Sequence, residues 1–455
     1  MSIRFVSVIA RAVVLAASLA CSSLSFASEP EVTAFVHVRV VPMDRERVLA
    51  DQTVLIDKGV ITAIGRDVRI PKDARVIDGS GKFLSPGLAD MHSHSDTRED
   101  MKVYLANGVT TVLNLGGASS DFVDQLMPLL NRGERSGPHV YAALRIDGTP
   151  EYGQLVVKSA EQARWAVRIA KTNGYRFIKV YNNLSSAAFA AAADEARKQG
   201  LGLAGHHLKQ VPLATELDGG QFLVAHLEEL IYALFKSPDN DPLAPPPGSV
   251  IDEAAALLKQ KHAFVVADLF TFQTIAEQWG HPAVVARYFE EPATKSLPPR
   301  WRLSWRRDDY VKRNGSLDER AAFLARLAVA LERAGVPVVA GTDAPTVPGV
   351  VPGASLHDDL DRLVTAGFTP FQALASATRT PGEFIGRTVH DSPAFGVVKA
   401  GNRADLVLSD SNPLKDLRTL RTPVGVMSHG RWFGRDDLQR LLESVVSEYS
   451  AAELK

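Results

Sequence analysis

Residues 176–207 read RFIKVYNNLSSAAFAAAADEARKQGLGLAGHH, and this stretch decides the fold class. RFIKVY is a short apolar run with one lysine, Lys179, flanked by Ile178 and Val180. Ser185-Ser186 caps an alanine-rich segment that stops at Gly200, and a second apolar run, LGLAG, leads straight into His206. Strand, helix and strand in so short a span form a βαβ unit, which pairs its strands in parallel. The same alternation extends in both directions. Upstream, the strands VTTVLNL and HVYAAL precede a capping-box pattern at Ser159 to Gln162. The helix that follows carries Ala163, Ala166, Val167 and Ala170 on one face before Gly174. Downstream come QFLVA, a helix from about Leu317 to Gly335, and then VPVVAG. Near-continuous apolar strands separated by helices imply a parallel sheet covered on its faces. At this length the expected α/β architecture is a closed eight-stranded (β/α)8 barrel of the TIM type, over 86–392.

The two ends of the chain read differently. Residues 31–84 and 397–434 are short strands punctuated by glycines, the pattern of a β module. One small β-sandwich built from both ends is expected, from 28–85 and 393–455, the latter including a tail. Residues 236–250 are proline-rich. With 291–316 they read as long loops over the barrel mouth, either a lid or a surface insertion. Residues 1–27 read as an export leader, with Arg4 and Arg11 around the start of an apolar run, Val13 to Ala20, and a small-x-small site at Ser25-Phe26-Ala27. The run is too short to span a bilayer. A periplasmic or secreted protein is expected, with lipidation at Cys21 as the lesser alternative. Cleavage after Ala27 removes the single cysteine, so thiolate ligands and disulfides are excluded. A formal net charge of −1 argues against nucleic acid or an anionic membrane surface as partner.

In such a barrel the chemistry sits at the C-terminal ends of the strands. His92 and His94 follow the run FLSPGLADM. At i and i+2 on an extended segment they point the same way and can reach one ion. Lys179 lies within FIKVY, His206 ends LGLAG, His226 ends QFLVA, and Asp343 ends VPVVAG in Gly341-Thr342-Asp343. Each has an ordinary explanation alone: a satisfied buried histidine, a snorkelling lysine, a helix-capping aspartate. Six metal-competent groups at the ends of five strands are not explained that way together.

The stretches SPGLADMHSH, NGVTTVLNLGG, RFIKVY, LAGHH, VAHLEE, VVAGTDAP and GVVKAGNRADLVLSDSNPL resemble the amidohydrolase superfamily. The likeness covers almost the whole chain after the leader. It is strongest to the metal-dependent imidazolonepropionase-like and Xaa-Pro dipeptidase (prolidase) branch with a carboxylated lysine. The resemblance implies a binuclear site with two divalent ions, zinc first among them. His92, His94 and Asp343 would hold one ion, and His206 and His226 the other. Lys179, as a carbamate formed with CO2, would bridge them. Asp343 would take the proton from the activated water and pass it to the leaving amine. Of the adjacent pair His206 and His207, the family pattern places the ligand at His206. Tyr181, two residues after Lys179, is a substrate contact or barrel packing. Arg145 is a partner for a substrate carboxylate. His357, in ASLHDD, is an approach to the site from the last loop, or a helix-capping or surface residue.

The expected function is an exported dipeptidase-like amidohydrolase acting on a small-molecule amide, a dipeptide or an N-acyl amino acid; a homo-oligomer is possible. Mononuclear deaminases of this likeness carry an acid soon after the strand-five histidine and lack the lysine, whereas here no acid follows His206 before Glu216. A lactonase or phosphotriesterase could use the same metal pair. A non-catalytic binding protein on the same barrel is the reading from another class.

Overall fold

The structure is a computed structural model, and it describes residues 32–235, 243–390 and 393–453. The leader-like segment 1–27 with Cys21, and residues 236–242 of the proline-rich segment, lie outside the described residues. Among the described residues no helix is long and apolar enough to cross a membrane.

Two sheets organise the chain. The strands are numbered in chain order: β1 (Thr33–Val40), β2 (Leu49–Asp57), β3 (Val60–Gly65), β4 (Arg75–Asp78) and β5 (Phe83–Pro86) come first, and β15 (Leu406–Ser409), β16 (Gly425–Ser428) and β17 (Arg431–Gly434) come last. They form one mixed sheet in the order β17-β16-β15-β5-β1-β2-β3, with β4 on β1. The chain ends meet where β5 pairs antiparallel with β15, Leu84 opposite Leu408. Phe35, Val54, Ile56, Leu84, Leu406 and Met427 pack together on the buried face, and Trp432 sets its ring edge to Phe35 at 5.2 Å. Burying this apolar face is what holds the two ends together.

The second sheet is the barrel. Its strands are β6 (Leu88–Ser93), β7 (Val109–Asn114), β8 (His139–Asp147), β10 (Phe177–Val180), β11 (Gly202–Gly205), β12 (Gln221–Val224), β13 (Phe264–Val266) and β14 (Val338–Val339); the short β9 (Leu155–Val156) pairs with β8. All neighbours pair in parallel, as the βαβ pattern requires. The predicted caps are in place. Ser159 accepts from Gln162 N at the start of the helix Ala160–Thr172, whose buried residues are Ala163, Ala166, Val167 and Ala170. Ser185 caps the helix Ser186–Gln199, which ends at a left-handed Gly200. Inside the ring, Tyr141, Phe177, Phe264 and Phe384 fill the core.

The ring closes between its first and last strands, next to the site. Met91 N donates to Ala340 O at 3.0 Å, Asp343 N to His92 O at 2.7 Å and His94 N to Ala344 O at 2.7 Å. Gly341 permits this approach, because a Cβ there would stand 2.9 Å from His92 N and 2.7 Å from Val266 Cγ1. Asp90 fastens the seam from behind. Its carboxylate accepts from Thr342 Oγ1 at 2.6 Å and from the backbone N of Thr342 and of His92 at 3.1 and 3.2 Å.

The segment 291–316, expected as loop, is largely helical. Pro292–Ser296 and Tyr310–Lys312 are 3-10 turns around the helix Pro299–Trp305. Proline near the start of a helix costs no hydrogen bond, so Pro292 and Pro299 open these elements rather than break them. The buried Trp305 anchors the segment by donating Nε1–H to Pro345 O at 2.9 Å, and Arg300 pairs with Asp96.

Candidate metal centre

His92 and His94 come from the end of β6, His206 from the end of β11 and His226 from just beyond β12. Asp343 follows β14 in the left-handed conformation, φ 57°. His92 Nδ1 lies 2.8 Å from Ala225 O, and His94 Nδ1 lies 2.6 Å from Gly116 O. A carbonyl only accepts, so each Nδ1 carries the proton and each Nε2 keeps its lone pair. Those two lone pairs converge on Asp343 Oδ1, at 3.2 Å from His92 and 3.0 Å from His94. Three electron-rich atoms so placed repel one another unless positive charge lies among them, and Lys179 Nζ, 3.1 Å from His92 Nε2, meets one of the three. A proton does not serve. Burial, then the charge of Lys179, holds His92 well below its usual range, and burial holds His94 down against the pull of Asp343. Burial pushes the Asp343 carboxyl up, and only positive charge at the facing rings of His92 and His94 outweighs it to hold the group well below its usual range; with both rings neutral, that charge has to come from a cation between them.

The donor atoms of His92, His94 and Asp343 lie within 4.8 Å of one another, as do those of a second group, His92, His226 and Asp268. His226 Nδ1 rests on Asp268 Oδ2. His206 Nδ1 lies 2.6 Å from Glu229 Oε1, and its Nε2 is buried with no hydrogen-bond partner. His and carboxylate donors with an orphaned buried imidazole nitrogen suit a divalent ion.

The expected cofactor arrangement needs correction. The donor groups are two His/Asp triads that share His92, and no lysine is among them, so a pair of zinc ions bridged by a Lys179 carbamate is not the arrangement found. Lys179 is 1% exposed. Its Nζ lies 3.1 Å from His92 Nε2, a hydrogen-bond distance, and burial pulls its pKa down to about 7. It neighbours a donor instead of joining a donor group.

The adjacent histidines part company. His207 turns its ring to Glu216 Oε1, at 2.9 Å, while His206 sets its ring 4.8 Å from that of His226 and stacks on Tyr181 at 3.8 Å. Arg145 lies opposite Lys179 in the β8–β10 register, with its guanidinium 5.9 Å from the Tyr181 ring centroid. His94, Arg145, Arg300, Trp301, Ser304 and Thr346 line a cavity of about 290 Å³ beside the donors. His357 is not brought to the site. It is buried in the helix Ala354–Ala366 with Nε2 2.8 Å from Asn107 O. Sequence reasoning missed Asp268, Glu229 and Asp90. Asp268 had a signal, since it follows the apolar run FVVA much as Asp343 follows VPVVAG.

Comparison with known proteins finds short matching stretches of sequence and shared folds. The stretch matched to a dihydroorotase of Carboxydothermus hydrogenoformans is 44% identical over 69 residues, 13% of this chain and 16% of that protein. The chain thus spans only a small part of the curated relatives it matches. Two solved structures share the fold over most of their length. Bottromycin amidohydrolase has a TM-score of 0.72 at 22% identity, covering 93% of this chain and 92% of its own. A putative prolidase from Bifidobacterium longum has a TM-score of 0.67 at 21% identity, covering 91% and 99%. Residues 302–433 match the model of the Amidohydrolase family. The matched stretch spans the end of the barrel and the sheet strands that follow it.

Proposed function

We propose that the protein is a metal-dependent hydrolase of the amidohydrolase type that cleaves an amide bond in a substrate carrying a carboxylate. One observation carries the reading: the Nε2 atoms of His92 and His94 converge on Asp343 Oδ1, an arrangement that calls for a cation. A divalent ion held there would polarise a carbonyl and activate water. Asp343 would accept the proton of the attacking water and deliver it to the leaving amine. Its Oδ2 accepts from Thr346 Oγ1 at 2.7 Å, which leaves Oδ1 aimed at the donors. His206 and His226 widen the donor set towards β11 and β12.

Arg145 supports the carboxylate. Its Nε is buried without a hydrogen bond, and it lines the cavity that adjoins His94. A guanidinium there suits a carboxylate on the amine side of the scissile bond. That favours a dipeptide or an N-acyl amino acid over a lactone or a phosphotriester. The leader-like residues 1–27 favour an exported enzyme. The test strips the protein with a chelator, restores divalent metals one at a time, and screens N-acyl amino acids, dipeptides and lactones. Metal-dependent amide hydrolysis is the expected result. Hydrolysis of lactones alone, or metal-independent turnover, would sink the reading.

A further inference from the structure

A second cavity, of about 420 Å³, is lined in part by Phe272, a neighbour of the His226 ring. Its volume lies within the usual range for a small-molecule site. Arg145 sits on β8, the third strand of the ring, while this cavity is built on the segments that follow β12 and β13, the sixth and seventh. The two cavities are therefore built on different parts of the ring. Phe272 links the cavity to the centre, standing edge-on to the His226 ring at 6.0 Å. Ile275, Trp279, Tyr310 and Leu324 continue its apolar wall, with Trp279 and Tyr310 stacked at 5.9 Å. Among the described residues the lining includes one carboxylate, Glu228, whose Oε1 accepts from Tyr232 Oη at 2.7 Å and pairs with Arg320 at 3.5 Å. Arg313, over the Trp279 ring at 5.8 Å, adds a second positive charge to the lining.

We propose that this cavity receives the acyl half of the substrate, and that the substrate class is an N-acyl amino acid with an aromatic or bulky apolar acyl group, in preference to a dipeptide with a free α-amine. The proposal rests on the hydrolase reading above. With the carboxylate at Arg145 and the scissile carbonyl at the donor atoms, the acyl substituent extends past Phe272. An aromatic acyl group there buries apolar surface against apolar walls. Among the described residues the charges of the lining are one carboxylate, whose Oε1 is already shared by Tyr232 and Arg320, and two arginines, so a free ammonium would enter a net positive space.

The test uses the metal-loaded full chain with three matched substrates: N-phenylacetylglycine, N-acetylglycine and phenylalanylglycine. The first should exceed the second in kcat/KM by roughly ten- to a hundred-fold, the scale of pocket discrimination, and should also exceed the third. Trp279→Ala should collapse the first ratio towards one, and Trp279→Phe should keep most of it. Equal kcat/KM for the phenylacetyl and acetyl substrates, or a preference for the dipeptide, overturns the proposal. A second arm needs neither turnover nor a variant. In calorimetry on the unsubstituted protein, phenylacetate should bind at least about tenfold more tightly than acetate, the gain expected from burying a phenyl ring. Equal binding overturns the proposal. If no amide is hydrolysed, the hydrolase reading fails by itself, and the binding arm still decides what the cavity takes.

Discussion

The two sides of the donor cluster are held by different chemistry. His92 and His94 rest Nδ1 on backbone carbonyls and meet the carboxylate of Asp343 at Nε2. His206 and His226 rest Nδ1 on the buried carboxylates of Glu229 and Asp268. The first side carries its negative charge in front, where the Nε2 atoms converge. The second carries it behind. A carboxylate behind an imidazole fixes the ring and raises its strength as a donor. Burial pushes Glu229 and Asp268 above the usual carboxylate range, so their ionised forms depend on a compensating positive charge on the ring or beyond it. The contrast separates a carboxylate set between two imidazole Nε2 atoms from carboxylates each held against a single Nδ1.

The comparison breaks first at His92, which belongs to both donor groups. His92→Ala should abolish turnover and deplete metal from both groups, whereas His94→Ala should disturb only one, as read by elemental analysis. Full metal content in His92→Ala would show that the groups do not depend on the shared ring. The next test sets front against back. Asp343→Asn keeps a ligating oxygen but cannot accept a proton, so turnover should fall by roughly two to four orders of magnitude with much of the metal retained. Asp268→Asn should cost about 10–100-fold, and mainly in metal affinity. Equal losses of turnover at saturating metal would erase the distinction between the two positions.

The smallest effect belongs to Asp90, which stands behind the first side but holds backbone and Thr342, not a ring. Burial lifts its pKa from 3.8 to about 7, so the folded state binds this proton more tightly than the unfolded chain does. The resulting stabilisation is fully present below about 3.8 and is lost as pH rises through about 7. Asp90→Asn should flatten the pH dependence of the denaturation midpoint across that window. A variant that keeps the wild-type slope would assign the dependence to another group.

The barrel was legible because local signals repeat: Ser159, Ser185 and Gly200 cap their helices as written, and each apolar run became a parallel strand. His92, His94 and Asp343 were legible because strand ends in such a ring share one mouth. Glu229 and Asp268 were not, because a residue that backs a histidine is recognised only by where its side chain lands. His357 shows the same limit in reverse. Its helix packs its ring against the carbonyl that ends the helix Arg98–Ala106, and nothing local announces that contact. The segment 291–316 was misread for a simpler reason: its prolines sit at helix starts, where they are tolerated.

The seam between β6 and β14 has a consequence for biosynthesis. His92 and His94 stand on one lip of the closing ring and Asp343 on the other, with the backbone of His92 and His94 bonded directly to that of Asp343 and Ala344. No nascent chain that stops short of this last lip can assemble the first donor triad, however well its earlier strands have folded. Capture of an ion there would act as a completion signal. It would reward the closed ring and no shorter product, and couple closure of the ring to the first event of function.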